Sequence, residues 1–352
     1  MKALLSLFIM VLFLNCSGTR IAAETQQSEK FQTVSIDTLL NQKMSIRAIL
    51  TDKDLVYYAA DRGRYGYYNL KTSQNIETTI NDNPSAEFRS IAQTDTNIFI
   101  LNVGNPALLY KISKESRQSK LVYQEHHEKV FYDSMQFWND KEGIAIGDPT
   151  ANCLSILITR DGGDSWQKIS CKELPEIVEG EAAFAASNTN IILKGNKAWI
   201  VSGGKKSRVF YSPNKGMTWR VSETPIVQGL AMTGMFTADF YNGKIGFAAG
   251  GNYDIPNQNS GNKIRTEDGG KRWKLIAENR GFGYASCVQF VPESHGKQLV
   301  SVGATGLYYS SDAGESWKQL LESPNLYTIR FIDVKTAIAA GKDCLLRLHF
   351  QY

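Results

Sequence analysis

The chain has 352 residues, 42% of them hydrophobic and 21% charged, with a formal net charge of +4. This composition describes a folded protein with ample core, and the small charge, without a long Lys/Arg run, excludes a nucleic-acid surface as the basis of function. At this length two ordinary domains or one large closed β architecture are both open, and the repeats decide between them.

The chain begins MKALLSLFIMVLFLNCSG, one Lys before a largely apolar run from Ala3 to Leu14 that is too short to span a bilayer and typical of an export signal. Residues 1–15 are read as a signal peptide. Cys16 before Ser17 and Gly18 resembles the lipobox of bacterial lipoproteins, where that Cys is acylated; Asn15 and a Leu one place late depart from it. The alternative is ordinary cleavage near Ala23. Residues 16–30 are polar and form a tether, which places the remainder, 31–352, in the cell envelope, touching a membrane only through its lipid.

FQTVSID, Phe31 to Asp37, reads as a strand with no sheet of its own, and helical periodicity appears only in the adjoining DTLLNQK. Seven short apolar strands then end in a small residue, at Ala60, Gly104, Gly147, Gly203, Gly250, Gly303 and Gly341, spaced 38 to 56 residues apart. Runs this short, rich in Ile, Val and Ala, read as strands buried on both faces. Each lies between two further apolar strands.

A turn pattern, [ST]-x-[DN]-x-G-x-[STR]-W, recurs four times with its acidic or amide residue at Asp161, Asn214, Asp268 and Asp312. Asp or Asn accepts hydrogen bonds from backbone N–H groups just ahead, Gly supplies a positive φ, and Trp166, Trp219, Trp273 and Trp317 cover the turn. Three strands, a turn and a fourth strand make one propeller blade, so seven blades are expected. The last lacks a fourth strand, which the N-terminal strand supplies by closing the ring. Cys153 and Cys171, equidistant from the centre of the first turn, are a disulfide candidate, leaving Cys287 and Cys344 as buried free thiols.

The turn resembles the Asp-box, or BNR, repeat of sialidases and related propellers. The blade text, MQFWNDKEGIAIGDP, LITRDGGDSWQKI, GEAAFAAS and SRVFYSPNKGMTW, is similar to the photosystem II stability/assembly factor-like family over nearly all of residues 44–348. The resemblance implies an all-β, seven-bladed β-propeller that holds partner proteins without catalysis.

The Asp-box turns are expected on the face opposite the ligand mouth, so their carboxylates are structural. The mouth collects Arg47, Arg62, Arg64 and Arg89 on a basic side and Asp133, Asp148, Glu179, Glu181 and Asp254 on an acidic side, with Tyr253 and Tyr284 as aromatic surface. Opposed charge across one mouth orients a polar partner, here an envelope protein or glycan bound by a monomer. Gly250–Lys263 is the longest polar insertion, but one carboxylate, Asp254, is a thin ligand set for calcium.

Glycoside hydrolysis of the sialidase type is the competing function. Arg47 and Arg89 share [IF]-R-x-I and Arg330 echoes it, a possible substrate-gripping trio, although the Pro of the sialidase motif is missing. Another glycosidase needs two carboxyls roughly 5–9.5 Å apart, for which Asp133, Asp148 and Glu181 are the supply. His126, His127, His295 and His349 have no metal-ligand spacing, and no P-loop, dinucleotide fingerprint or nucleophile elbow is present, so neither metal nor cofactor is expected.

Overall fold

The computed structural model describes residues 30–80, 83–323 and 325–352. The leader, Cys16 and nearly all of the tether lie outside the described residues. The strands form six four-stranded antiparallel sheets and one six-stranded sheet. In chain order their innermost strands are Ile46–Asp52, Phe88–Gln93, Tyr132–Phe137, Ile191–Lys194, Thr233–Phe240, Ala285–Phe290 and Leu326–Phe331. Each packs on the next, and the last packs back on the first, which makes the fold an all-β propeller.

The second strand of every sheet is buried along almost its whole length, GIAIG at Gly143–Gly147 and LVSVG at Leu299–Gly303 being buried throughout. They lie between neighbouring sheets, which is why their sequences are continuously apolar rather than alternating. Outer strands such as Gln74–Thr79 are mostly exposed and polar.

Closure is made by Thr33–Leu40, which pairs antiparallel with Leu345–Gln351 from Thr33 opposite Gln351 to Leu40 opposite Leu345. The segment expected to carry helical periodicity is therefore largely strand. Phe31, 2% exposed, anchors this end, its ring 5.0 Å from those of Tyr309 and Phe350 and 5.3 Å from that of Tyr352.

The expected uniform ring of seven needs correction, because only six sheets are regular four-stranded blades. In the remaining sheet Thr233–Phe240, Gly246–Asn252, Lys263–Thr266 and Lys274–Leu275 are joined by a ribbon of Glu181–Ala182 and Gly203–Gly204. The strand expected to run to Gly203 stops at Val201; Gly203 turns away to pair with Gly234 of the next sheet. Both must be glycine: a Cβ on Gly234, whose φ is +116°, would stand 2.6 Å from Gly203 Cα, and one on Gly203 would meet the Phe184 ring at 2.3 Å.

The four recurring turns close on themselves. Thr159 Oγ1 donates to Asp161 (2.8 Å) and accepts from the Gly163 N–H (2.9 Å), while the Ser165 N–H and hydroxyl donate to the Asp161 carboxylate at 3.1 and 2.6 Å. Ser212 with Asn214, Thr266 with Asp268 and Ser310 with Asp312 repeat this pattern. Partial burial pushes Asp161 and Asp268 up, but the donors outweigh it and hold both at about 2. Trp219, Trp273 and Trp317 each donate from Nε1 to the carbonyl of the turn glycine. Trp166 instead packs edge-on against Phe137 and Phe99, between two sheets. Cys153 and Cys171 form a disulfide, Cys287 is a buried thiol and Cys344 a half-buried one.

Candidate functional site

The site begins with the glycines that end the second strands. A Cβ on Gly147 would lie 2.3 Å from the Phe131 carbonyl oxygen, and one on Gly303 would lie 2.2 Å from that of Tyr284. The crowding comes from a register shift. In six sheets the innermost strand skips one residue at this end of the ladder, and the skipped residues are Arg47, Arg89, Asp133, Phe236, Ser286 and Tyr327. A bulge re-aims the extra side chain; here it brings Arg47, Arg89 and Phe236 into the lining of one cavity. The recurring turns lie at the opposite end, since Thr159 pairs with Gly143 and Ser155 with Gly147.

The fourth sheet carries no such bulge because its chain arrives through the centre of the ring. Between the ribbon and Ile191, residues 186–189 bond to every other sheet. Arg47 donates to the Ala186 carbonyl (3.4 Å); Ser187 accepts from Thr328 (3.3 Å) and Arg330 (3.1 Å) and donates to the Ser286 carbonyl. Asn188, at φ +59°, donates to the Ile91 carbonyl (2.8 Å) and accepts from the Met135 N–H (2.9 Å), and Thr189 meets Thr237 at 2.8 Å. The axial channel is thus plugged by the protein's own chain. Sequence reasoning missed the plug, although the 56-residue gap from Gly147 to Gly203, the widest in the series, was its signal.

Above the plug lies a cup of about 430 Å³. Ala182–Ala186 form part of its lining, with Arg47, Arg89 and Asp148 on the walls and Phe236, Tyr253 and Tyr284 as aromatic surface. Phe184 and Phe236 stack at 4.0 Å, and Tyr284 meets Tyr253 edge-on at 5.1 Å. Five of the mouth residues expected from the sequence, Arg47, Arg89, Asp148, Tyr253 and Tyr284, therefore share one cavity.

Arg47 lies over the Tyr327 ring at 4.1 Å, and its Nε is buried without a partner. Arg89 grips Glu87 through Nε (2.9 Å) and Nη2 (2.7 Å). Asp148 accepts from the Ala183 N–H at 2.9 Å, yet burial outweighs that bond and pushes it up to about 7. Asp133 is fully buried and neither carboxyl oxygen has a hydrogen-bond partner. Burial first, and the Asp148 charge second, raise it well above the carboxylate range, opposed by Arg89.

The other candidates fall elsewhere. Glu181 is 2% exposed and held by Arg208 (2.5 Å) and the Ser202 hydroxyl (2.6 Å), so it fastens the ribbon rather than facing a ligand. Arg64 is bound to Asp61 (2.6 Å) and the Lys43 carbonyl (3.0 Å). Arg62, Glu179 and Asp254 are exposed and outside the cup lining. The arginine trio does not form at equivalent positions: Tyr327 takes the place matching Arg47 and Arg89, and Arg330, three residues on, is spent on the plug and on Thr328. Where the long loop enters the strand Lys263–Thr266, Lys263 is buried with its ammonium donating to the Asn259 carbonyl and Asn262 Oδ1, a charge that disfavours a metal ion there. Among the described residues no group of three or more His, Cys, Asp or Glu is placed to hold a metal.

No protein-family profile and no curated protein sequence matches the chain. Solved structures do match its fold. The structure described as YCF48 bound to D1 peptide superposes on 92% of this chain and 98% of its own, with a TM-score of 0.65 and 13% identity. YCF48 from Cyanidioschyzon merolae covers 91% of this chain and 99% of its own at TM-score 0.65 and 11% identity. The RRP9 WD40 repeats cover 92% and 100% at 0.64 and 9%. At such identities the likeness is one of fold, that of a β-propeller.

Proposed function

We propose that this is a non-enzymatic scaffold of the assembly-factor type, exported and anchored in the bacterial envelope by a lipid on Cys16, which holds a protein segment in the cup over its plugged channel. The six-stranded sheet counts as an expanded seventh blade, and the four self-closing turns are Asp-boxes in the sense of the BNR repeat. One observation carries the reading: a cup of about 430 Å³ whose lining combines the guanidinium groups of Arg47 and Arg89, the carboxyl of Asp148 and the rings of Phe236, Tyr253 and Tyr284. Such a surface orients a polar chain by its charges and covers its apolar atoms with rings. The neighbour described as YCF48 bound to D1 peptide is a propeller that takes a peptide, in keeping with this use of the fold.

The test is capture of an envelope protein by the monomeric full chain, followed by reversal of Arg47, Arg89 and Arg62 to Glu. Loss of capture supports the reading; capture undiminished by the triple reversal refutes it. A glycan is the second reading, favoured by the exposed ring of Tyr253 beside Tyr284. Its hydrolysis is disfavoured, since Glu181 is committed to Arg208 and Asp133 is enclosed, leaving Asp148 as the carboxyl in the cup lining. Release of reducing sugar from a glycan panel is the corresponding assay.

A further inference from the structure

The third sheet brings two carboxyl groups to the same wall of the cup. Asp133 occupies the bulge of the innermost strand, and Asp148 follows the end of the second strand, at Gly147. Asp148 lines the cavity, whereas Asp133 lies behind it, enclosed and without a hydrogen-bond partner on either oxygen. A buried carboxylate without a partner is costly, so the pair must be relieved by a proton or by a cation that arrives from outside. The charges facing the pair are those of Arg89 and, through it, Glu87. With all four groups ionised, three carboxylates stand against one guanidinium, a local charge of −2. Arg47 belongs to another sheet and stands over Tyr327, with its donor turned to the Ala186 carbonyl. It does not neutralise the pair.

The remaining lining specifies what kind of cation the wall would meet. Ala182–Ala186, the stacked Phe184 and Phe236, and Met232 offer an apolar path to Asp148. A lysine side chain matches that sequence of surfaces, an aliphatic stem ending in a compact ammonium with three donors. Arginine fits less well, since its planar fork calls for two acceptor oxygens side by side and one lobe of Asp148 is already bonded to the Ala183 N–H.

We propose that the cup holds a lysine side chain of the bound protein, its stem along Phe184 and Phe236 and its ammonium on Asp148, with the enclosed Asp133 behind it. This rests on the reading of the cup as a partner site and names what that site recognises. In the empty cup, below its pKa, Asp148 carries a proton. The incoming ammonium displaces it, so one proton is released to solvent for each lysine bound at a pH below the Asp148 pKa, and no bond beyond the O–H is broken.

The experiment uses the full chain and three probes: Nα-acetyl-lysine methylamide, its Nε-acetylated form, and alanine amide as an amine without a stem. Binding is followed by the carbon-13 carboxyl resonance of Asp148 and by calorimetry. The lysine probe is expected to bind with an affinity that rises up to about tenfold per pH unit while Asp148 is protonated and levels off above its pKa. The Nε-acetylated probe should fail, and alanine amide should bind more weakly for want of a stem. Asp148→Asn keeps the acceptor for the Ala183 N–H and should abolish binding at every pH. Asp133→Asn loses no hydrogen bond and should leave the probe in place.

Equal binding of the lysine probe and its acetylated form, binding retained in Asp148→Asn, a flat pH profile, or no binding at all would overturn the proposal. Alanine amide binding as well as the lysine probe would overturn the assignment to a side chain in favour of an N-terminal amine. The two readings fail separately. Capture lost on arginine reversal with no lysine binding at Asp148 removes this inference alone, whereas lysine binding without any captured protein removes the scaffold reading alone.

Discussion

Replacing Asp148 by Asn should stabilise the protein increasingly as pH rises above 3.8, reach its full effect near 7, and leave stability nearly unchanged in stronger acid. The carboxyl is raised from an ordinary 3.8 to about 7 because burial disfavours its ionised form. A group with a raised folded pKa contributes stability fully below its unfolded pKa and loses it as pH climbs through the folded one. The window therefore opens near 3.8 and closes near 7. A shift of about three units at 1.4 kcal/mol each gives on the order of 4 kcal/mol as the upper value of the loss. Asparagine still accepts from the Ala183 N–H and cannot ionise, so the Asp148→Asn curve should separate from that of the wild type between 3.8 and about 7 and run parallel to it above that. Asp133 continues to titrate in the variant, at higher pH, and the double variant Asp133→Asn/Asp148→Asn should lose the contribution of both carboxyls to the pH dependence. Urea midpoints measured from the ordinary carboxylate range to well above neutrality make the comparison. Wild-type and variant curves running parallel across that range would show that Asp148 is not buried against its charge, and the argument would fail.

Ring closure should depend on Phe31: Phe31→Ala removes a side chain packed against three rings and should cost about 3–5 kcal/mol, read as a lower urea midpoint and early exchange of the amides of Leu345–Gln351. An unchanged midpoint would mean that the N-terminal strand is dispensable. Arg208→Gln strands the fully buried Glu181 charge and should cost about 3–5 kcal/mol, with Glu181→Gln in the same background recovering part of it. Reduction of the Cys153–Cys171 disulfide, which spans 18 residues, should lower stability by about 3 kcal/mol in the chain-entropy account, and a Cys153→Ser/Cys171→Ser variant should melt with the reduced protein.

Much of the architecture was legible because it is written in local patterns. The turn at Asp161 needs a hydroxyl, an acceptor and a glycine at set offsets, and the same chemistry at Asn214, Asp268 and Asp312 produces the same bonds. Strands buried on both faces, such as GIAIG, must be apolar throughout, so the sheets could be placed and their closure by the N-terminal strand anticipated. Even the small residues at the strand ends were visible, as at Gly147 and Gly303, where a register shift brings a carbonyl too close for a Cβ.

What those shifts aim at the mouth was decided only in three dimensions. Arg330 carries the same local text as Arg47 and Arg89, yet the bulge falls on Tyr327, because register is set by the pairing strand and not by the neighbours in sequence. Glu181 reads as one more acid on the rim until folding lays Arg208 and Ser202 against it. The plug shows the limit most clearly: nothing in Ala186, Ser187, Asn188 and Thr189 announces partners in six other sheets, since those partners are backbone groups and side chains as far as 143 residues away, gathered only once the ring has closed. Turn chemistry and strand patterning act between residues a few positions apart, and so the chain alone determined them; the contents of a shared axis depend on every sheet at once, and so only the tertiary structure could decide them.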